Sequence, residues 1–138
     1  MSPSALALVA YAAWVLLLAI TIVTFRTGYV LTRKRAANSF EPWGSDVSAF
    51  SGRLCRAHAN CYENLPIFAA IILLALVTDN AGITDSLARW VVVARVAQSI
   101  VHLISTSAMA VTLRATIYSV QLAIEAYWIV QLGLLGFN

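Results

Sequence analysis

Residues 53–77 read RLCRAHANCYENLPIFAAIILLALV, a polar opening that passes, after Pro66, into an unbroken apolar run. On a helix of roughly 3.6 residues per turn, Arg53, Arg56, Asn60 and Glu63 put two cations, an amide and a carboxylate on one face. Ionisable groups at membrane depth are costly, so they normally point into a bundle interior or a wet cavity and mark a functional site. The stretch therefore reads as one membrane crossing with a chemically organised first half and a lipid-suited second half. It sets the fold class as helices that span a bilayer.

Working outward, the same logic finds three more crossings. Ala5–Phe25 is free of charge and would be about 31 Å long as a helix, against a hydrocarbon core of roughly 30 Å. The expected spans are about residues 5–25, 54–77, 87–104 and 115–137. Between the first two, Thr32–Ser51 contains Arg33-Lys34-Arg35 and Glu41-Pro42-Trp43-Gly44-Ser45-Asp46, which cannot stay in lipid. Thr78–Gly82 and Ser105-Thr106-Ser107 are the shorter breaks. Pro66 is a possible kink in the second span. The expectation is an all-α integral membrane four-helix bundle of up-down-up-down order, a single transmembrane domain over residues 1–138. The composition agrees: 61% of the 138 residues are hydrophobic and 11% charged, with a mean hydropathy of +0.82, far from a soluble domain.

Charge placement speaks to orientation. Arg26, Arg33, Lys34, Arg35, Arg53 and Arg56 make up most of the nine Lys and Arg residues, so the net charge of +3 does not describe a nucleic-acid surface. Loops one and three carry the excess and should face the cytoplasm, with both termini on the outer face. Met1–Phe25 has no charge, and its apolar run is too long for an export signal, so it reads as a retained first span. Cys55 and Cys61 are spaced for neither a metal pair nor a local disulfide and read as small buried residues. Without a phosphate-binding glycine loop, metal-ligand spacing or a serine elbow, phosphotransfer, metal hydrolysis and acyl-enzyme chemistry have no support.

A second polar stripe, Arg95, Gln98 and His102, lies on one face of the third span, and Gln121, Glu125 and Gln131 interrupt the fourth. Arg53 and Arg56 admit two readings, ligand forks or interfacial arginines snorkelling to head groups with Glu63 neutralising one of them. Arg95 on another span favours the first reading. His58 lies on the opposite side of its helix from Arg56 and Asn60 and reads as a structural or interhelical partner. Glu125 reads as bundle or subunit glue. Arg26 is either an anchor or a ligand arginine. Trp14, Trp90, Trp128, Tyr11, Tyr29 and Tyr127 read as lipid anchors and packing residues.

The pattern Arg53-x-x-Arg56-Ala57-His58-Ala59-Asn60-x-x-Glu63-Asn64-x-Pro66-x-Phe68 resembles the signature of the membrane-associated proteins in eicosanoid and glutathione metabolism, the MAPEG family. Ala94–Leu103 resembles that family's third-helix pattern, and the likeness runs along the whole chain. Glu63–Ala70 is more like the bacterial members than the leukotriene or prostaglandin synthases, which implies a bacterial inner membrane. The resemblance implies a homotrimer with glutathione as co-substrate between subunits near the cytoplasmic side. The activity it implies is that of a microsomal-type glutathione transferase or peroxidase acting on lipophilic small molecules, electrophiles or hydroperoxides that enter laterally from the bilayer, with membrane lipids as a further partner.

On the matching positions, Arg53, Arg56, Asn60, Glu63 and Arg95 would bind glutathione, with His102 and Tyr118 beside them. Arg114, at the start of span four, would activate the thiol. Arginine forks suit the ligand's carboxylates, a carboxylate suits its ammonium, and a cation lowers the pKa of its thiol. Gln98 and His102 stand where the family often carries a histidine and a tyrosine. That departure, with a longer Arg95-to-Arg114 stretch than in the mammalian members, sustains a second reading: a non-catalytic scaffold or lipid-binding module with a degenerate pocket.

Overall fold

The computed structural model describes residues 1–136, which form four helices with no strand among them. They are α1 (Pro3–Leu31), α2 (Ala49–Val77), α3 (Gly82–Ile104) and α4 (Ala108–Leu135). Each is long and apolar enough to cross a membrane. The fourth expected span ends at residue 137, outside the described residues.

The helices start where serines cap them, outside the apolar runs. Ser2, Ser48 and Ser107 each accept a hydrogen bond from a backbone N–H of the first turn, satisfying a donor that the helix leaves unpaired. α3 has no such cap. Its first-turn Asp85 instead accepts from the backbone N and Oγ of Ser4, at 2.9 and 2.6 Å, which ties the beginning of α3 to that of α1. α2 continues through Pro66 as one helix.

Short connections, residues 78–81 and 105–107, make α2, α3 and α4 successive antiparallel neighbours. α1 packs on α2 and α3, α4 packs chiefly on α3, and α1 and α4 lie on opposite sides of the α2–α3 pair. Lipid offers no hydrophobic drive for helix association, so close packing and polar contacts must hold the bundle. An aromatic series does part of this: Tyr11 of α1 meets Phe68 of α2 at 5.2 Å between ring centroids, and Phe68 meets Trp128 of α4 at 6.2 Å. All three are fully buried. Leu6, Leu16, Ile20, Val120, Ile129 and Val130 remain on the outside, as a lipid-facing wall requires.

The segment between α1 and α2 folds back onto the bundle end. The Arg26 and Arg35 guanidinium groups each lie 5.5 Å from the Phe40 ring, Arg35 pairs with Asp46, and Arg26 donates to the Glu41 carbonyl at 2.8 Å. Desolvation pushes the Asp46 carboxyl up, but the Glu41 N–H and the Arg35 charge outweigh it and hold the group below its ordinary value. Gly44 has φ +68°, and a Cβ there would stand 2.7 Å from Cys55 Sγ. Only glycine lets this turn close over α2.

Candidate functional site

α2 carries two strips of different fate. Ala57, Cys61, Asn64 and Phe68 are buried against the other helices, whereas Arg56 and Glu63 stay on the protomer surface with Asn60 half-buried beside them. Arg56 and Glu63 are two turns apart on this exposed face, about 10 Å along the axis.

Near the α1–α2 connection, three helices each bring a basic side chain to one end of the bundle. Arg56 of α2 and Arg114 of α4 both act electrostatically on His102 of α3. Arg114 is half-buried, and its Nη1 is sealed from solvent without a hydrogen-bond partner, as is Nδ1 of His102. Arg53 is committed elsewhere: its Nε donates to the Leu103 carbonyl at 2.7 Å and satisfies the exposed end of α3.

Roughly 10 Å deeper along α3, seven residues from His102, lies a second polar tier. Arg95 is fully buried, with its guanidinium carbon 5.1 Å from the Tyr118 ring centroid and 5.9 Å from that of Tyr11. Its Nη1 reaches the backbone carbonyl of Asn60 at 3.4 Å. The tier continues with Tyr11 Oη donating to the Cys61 carbonyl at 3.0 Å, Cys61 Sγ sharing a hydrogen bond with Ser99 Oγ at 3.0 Å, and Trp14 Nε1 donating to the same oxygen at 3.2 Å. On the α4 side, Asn64 donates to Glu125 at 2.8 Å and Gln121 to Gln98 at 3.2 Å.

The structure thus brings Arg56, His102 and Arg114 to one end and joins Arg95, Tyr118 and the Asn60 backbone beneath them. It does not bring Glu63 into an ion pair: among the described residues Arg35–Asp46 is the one such contact. Both cysteines are free and buried. Gln98 is a core residue with an amide partner, and Glu125 joins helices within the bundle. His58 sits against the Tyr62 ring at 5.5 Å and lines a surface hollow of about 480 Å³ together with Arg26, Trp43 and Cys55. Tyr11 and Asn64 belong to the deeper tier without having been singled out for it in the sequence. Tyr11 lies in an otherwise uniform apolar span, and Asn64 directly follows the more conspicuous Glu63.

The arrangement suits a ligand with anionic and cationic ends about two helical turns apart, held along the exposed face of α2 below a cluster of arginines. A search of curated proteins and a search of solved structures each returned no match. Residues 4–134, nearly the whole chain, match the MAPEG family, which includes glutathione transferases and related proteins. With four membrane-length helices and this match, the chain belongs to the MAPEG family and is a multi-pass membrane protein.

Proposed function

We propose that the protein is a glutathione-dependent transferase or peroxidase that uses lipophilic electrophiles or hydroperoxides from the bilayer. It would act as a homotrimer with the site between subunits. One observation carries the reading: Arg56 and Glu63 are exposed on the face of a helix that crosses the membrane, where charges require a ligand or a neighbouring protein surface. Glutathione meets both demands. Arg56 takes a carboxylate, Glu63 the ammonium, and Asn60 the peptide group, while Arg95 and Tyr118 form the floor. Arg53 secures the end of α3 and so holds His102 in place.

Arg114, which acts electrostatically on His102 and has an unpaired donor, would be the cation that stabilises the thiolate. The thiolate sulfur then forms a bond to the electrophilic carbon as the leaving group departs with its electron pair. With a hydroperoxide it attacks the terminal oxygen, the O–O bond breaks and the alkoxide leaves with the electron pair and takes up a proton to give the alcohol. The glutathione sulfenic acid so formed is reduced by a second glutathione to the disulfide and water. The non-catalytic scaffold has one observation in its favour, because Gln98 is locked in the core by Gln121 and offers nothing to a ligand.

Titration calorimetry of glutathione into the detergent-solubilised protein tests the reading. Arg56→Ala and Glu63→Ala should each weaken binding by about 2 to 3 kcal/mol, the loss of a charge-assisted hydrogen bond in a partly buried site. Unchanged affinity in both variants would return these residues to head-group anchoring.

A further inference from the structure

The arginine at the centre of the bundle needs a counter-charge, and the chain holds few. An arginine side chain stays protonated in proteins, so the fully buried Arg95 brings a permanent positive charge to membrane depth. Two aromatic faces and one carbonyl at 3.4 Å satisfy it in part, while its Nε and Nη2 are buried without a partner. Six acidic residues exist in all. Glu41 and Asp46 lie in the α1–α2 connection, Asp79 and Asp85 at the opposite end of the bundle, and Glu63 on the outer face of α2. Glu125 remains.

We infer that Glu125 is ionised inside the bundle and serves as the fixed counter-ion of Arg95, a positioning residue for that arginine and for the Tyr118 ring against it. Glu125 is 2% exposed. One carboxylate oxygen accepts from Asn64 at 2.8 Å, and the other is buried with no partner. Arg95 meets α2 at the Asn60 carbonyl and Glu125 meets it at the Asn64 side chain, residues one turn apart and about 6 Å along the axis between their Cα atoms. The groups interact electrostatically without touching. The unpaired atoms are complementary, two guanidinium nitrogens on one side and a carboxylate oxygen on the other. Inside the bundle the attraction is screened less than in water. Tyr11 of α1 and Cys61 and Asn64 of α2 lie within reach of the pair and, as neutral groups, add no further formal charge. Because α3 and α4 each carry one member, charge balance fixes the depth of these helices against each other, and with it the placement of Arg95 against Tyr118 and of His102 against Arg114. The bearing on catalysis rests on the proposed glutathione site. The charge pair itself does not.

Infrared spectroscopy of the full-length protein, wild type and Glu125→Gln, reads the ionisation directly. The substitution should remove carboxylate intensity and no protonated carboxylic-acid carbonyl band. Gln nearly matches a neutral Glu in shape but leaves Arg95 unbalanced, so the single variant should melt lower, Glu125→Asp should regain part of the loss, and Arg95→Gln with Glu125→Gln should be more stable than Glu125→Gln alone. Glutathione affinity should fall about tenfold in Glu125→Gln and recover in Glu125→Asp. A protonated carbonyl band that vanishes in Glu125→Gln, or a double variant no more stable than the single, would overturn the inference. If the infrared and stability pattern holds while the wild type binds no glutathione, the counter-ion stands and the transferase reading falls.

Discussion

Arg114 is the residue on which enzyme and binding module diverge. It is half-buried within electrostatic reach of His102, and its enclosed Nη1 has no hydrogen-bond partner in the chain, which leaves a donor for an anion once the side chain is uncovered. Carboxylate binding is assigned to Arg56 and ammonium binding to Glu63, so Arg114→Leu should leave glutathione affinity nearly intact while thiolate formation falls. Ultraviolet absorbance of the bound thiolate, followed against pH, reports the ionisation, and turnover of a generic aromatic electrophile should drop by about one to three orders of magnitude. Equal thiolate and equal turnover in the variant would take thiol activation away from Arg114, whereas a wild type with neither thiolate nor turnover would leave the scaffold reading in its place. Spacing in the sequence was enough to put Arg56, Asn60 and Glu63 on neighbouring positions of one helix surface, because helical periodicity is local. It could not tell that Arg95 would be enclosed by Tyr11 and Tyr118. That depends on which helices cover the arginine, a fact of tertiary packing that no offset along α3 contains.

Among the elements, the helices were legible as apolar runs but their ends were not. Hydropathy stops where the hydrocarbon stops, whereas α1 and α4 begin at serine caps and α1 runs on to Leu31. Helical hydrogen bonding costs nothing to continue into the polar layer, so length in lipid and length as helix need not coincide. The α1–α2 connection, residues 32–48, read as a loop from its breakers, yet its clamp of Arg26 and Arg35 on Phe40 is long-range and left no local pattern. By the positive-inside rule its basic residues would put this connection on the cytoplasmic side. Ser39 is exposed on this connection, so a single added cysteine, Ser39→Cys, should be reached by a membrane-impermeant thiol reagent only after the cytoplasmic side is opened. Labelling of intact cells would reverse the orientation and turn the arginine cluster away from the cytoplasmic thiol pool.

The whole molecule presents a contradiction that a second copy of the chain would resolve. Large apolar side chains cover much of the bundle's outside and suit lipid, but α2 exposes Arg56 and Glu63 along a surface that its own helices leave uncovered. Charges there are stable beside water, a ligand or complementary protein. Self-association about an axis near α2 would enclose that strip, and because cyclic assemblies repeat one heterologous contact, each copy would gain an equivalent site. Glutathione filling those sites would bind the assembly more tightly than the separated chain and so stabilise it by mass action. Native mass spectrometry from mild detergent should therefore find a trimer, and adding glutathione at about 100 times its Kd should protect that trimer against dissociation by some 2.7 kcal/mol per occupied site. Replacing Glu63 by Gln should reduce this protection while leaving the fold of each chain intact, since Glu63 makes no ion pair within it. A monomer that binds glutathione with undiminished affinity would place the whole site within one bundle, and the exposed strip on α2 would then have to face water or lipid head groups instead of a neighbouring subunit.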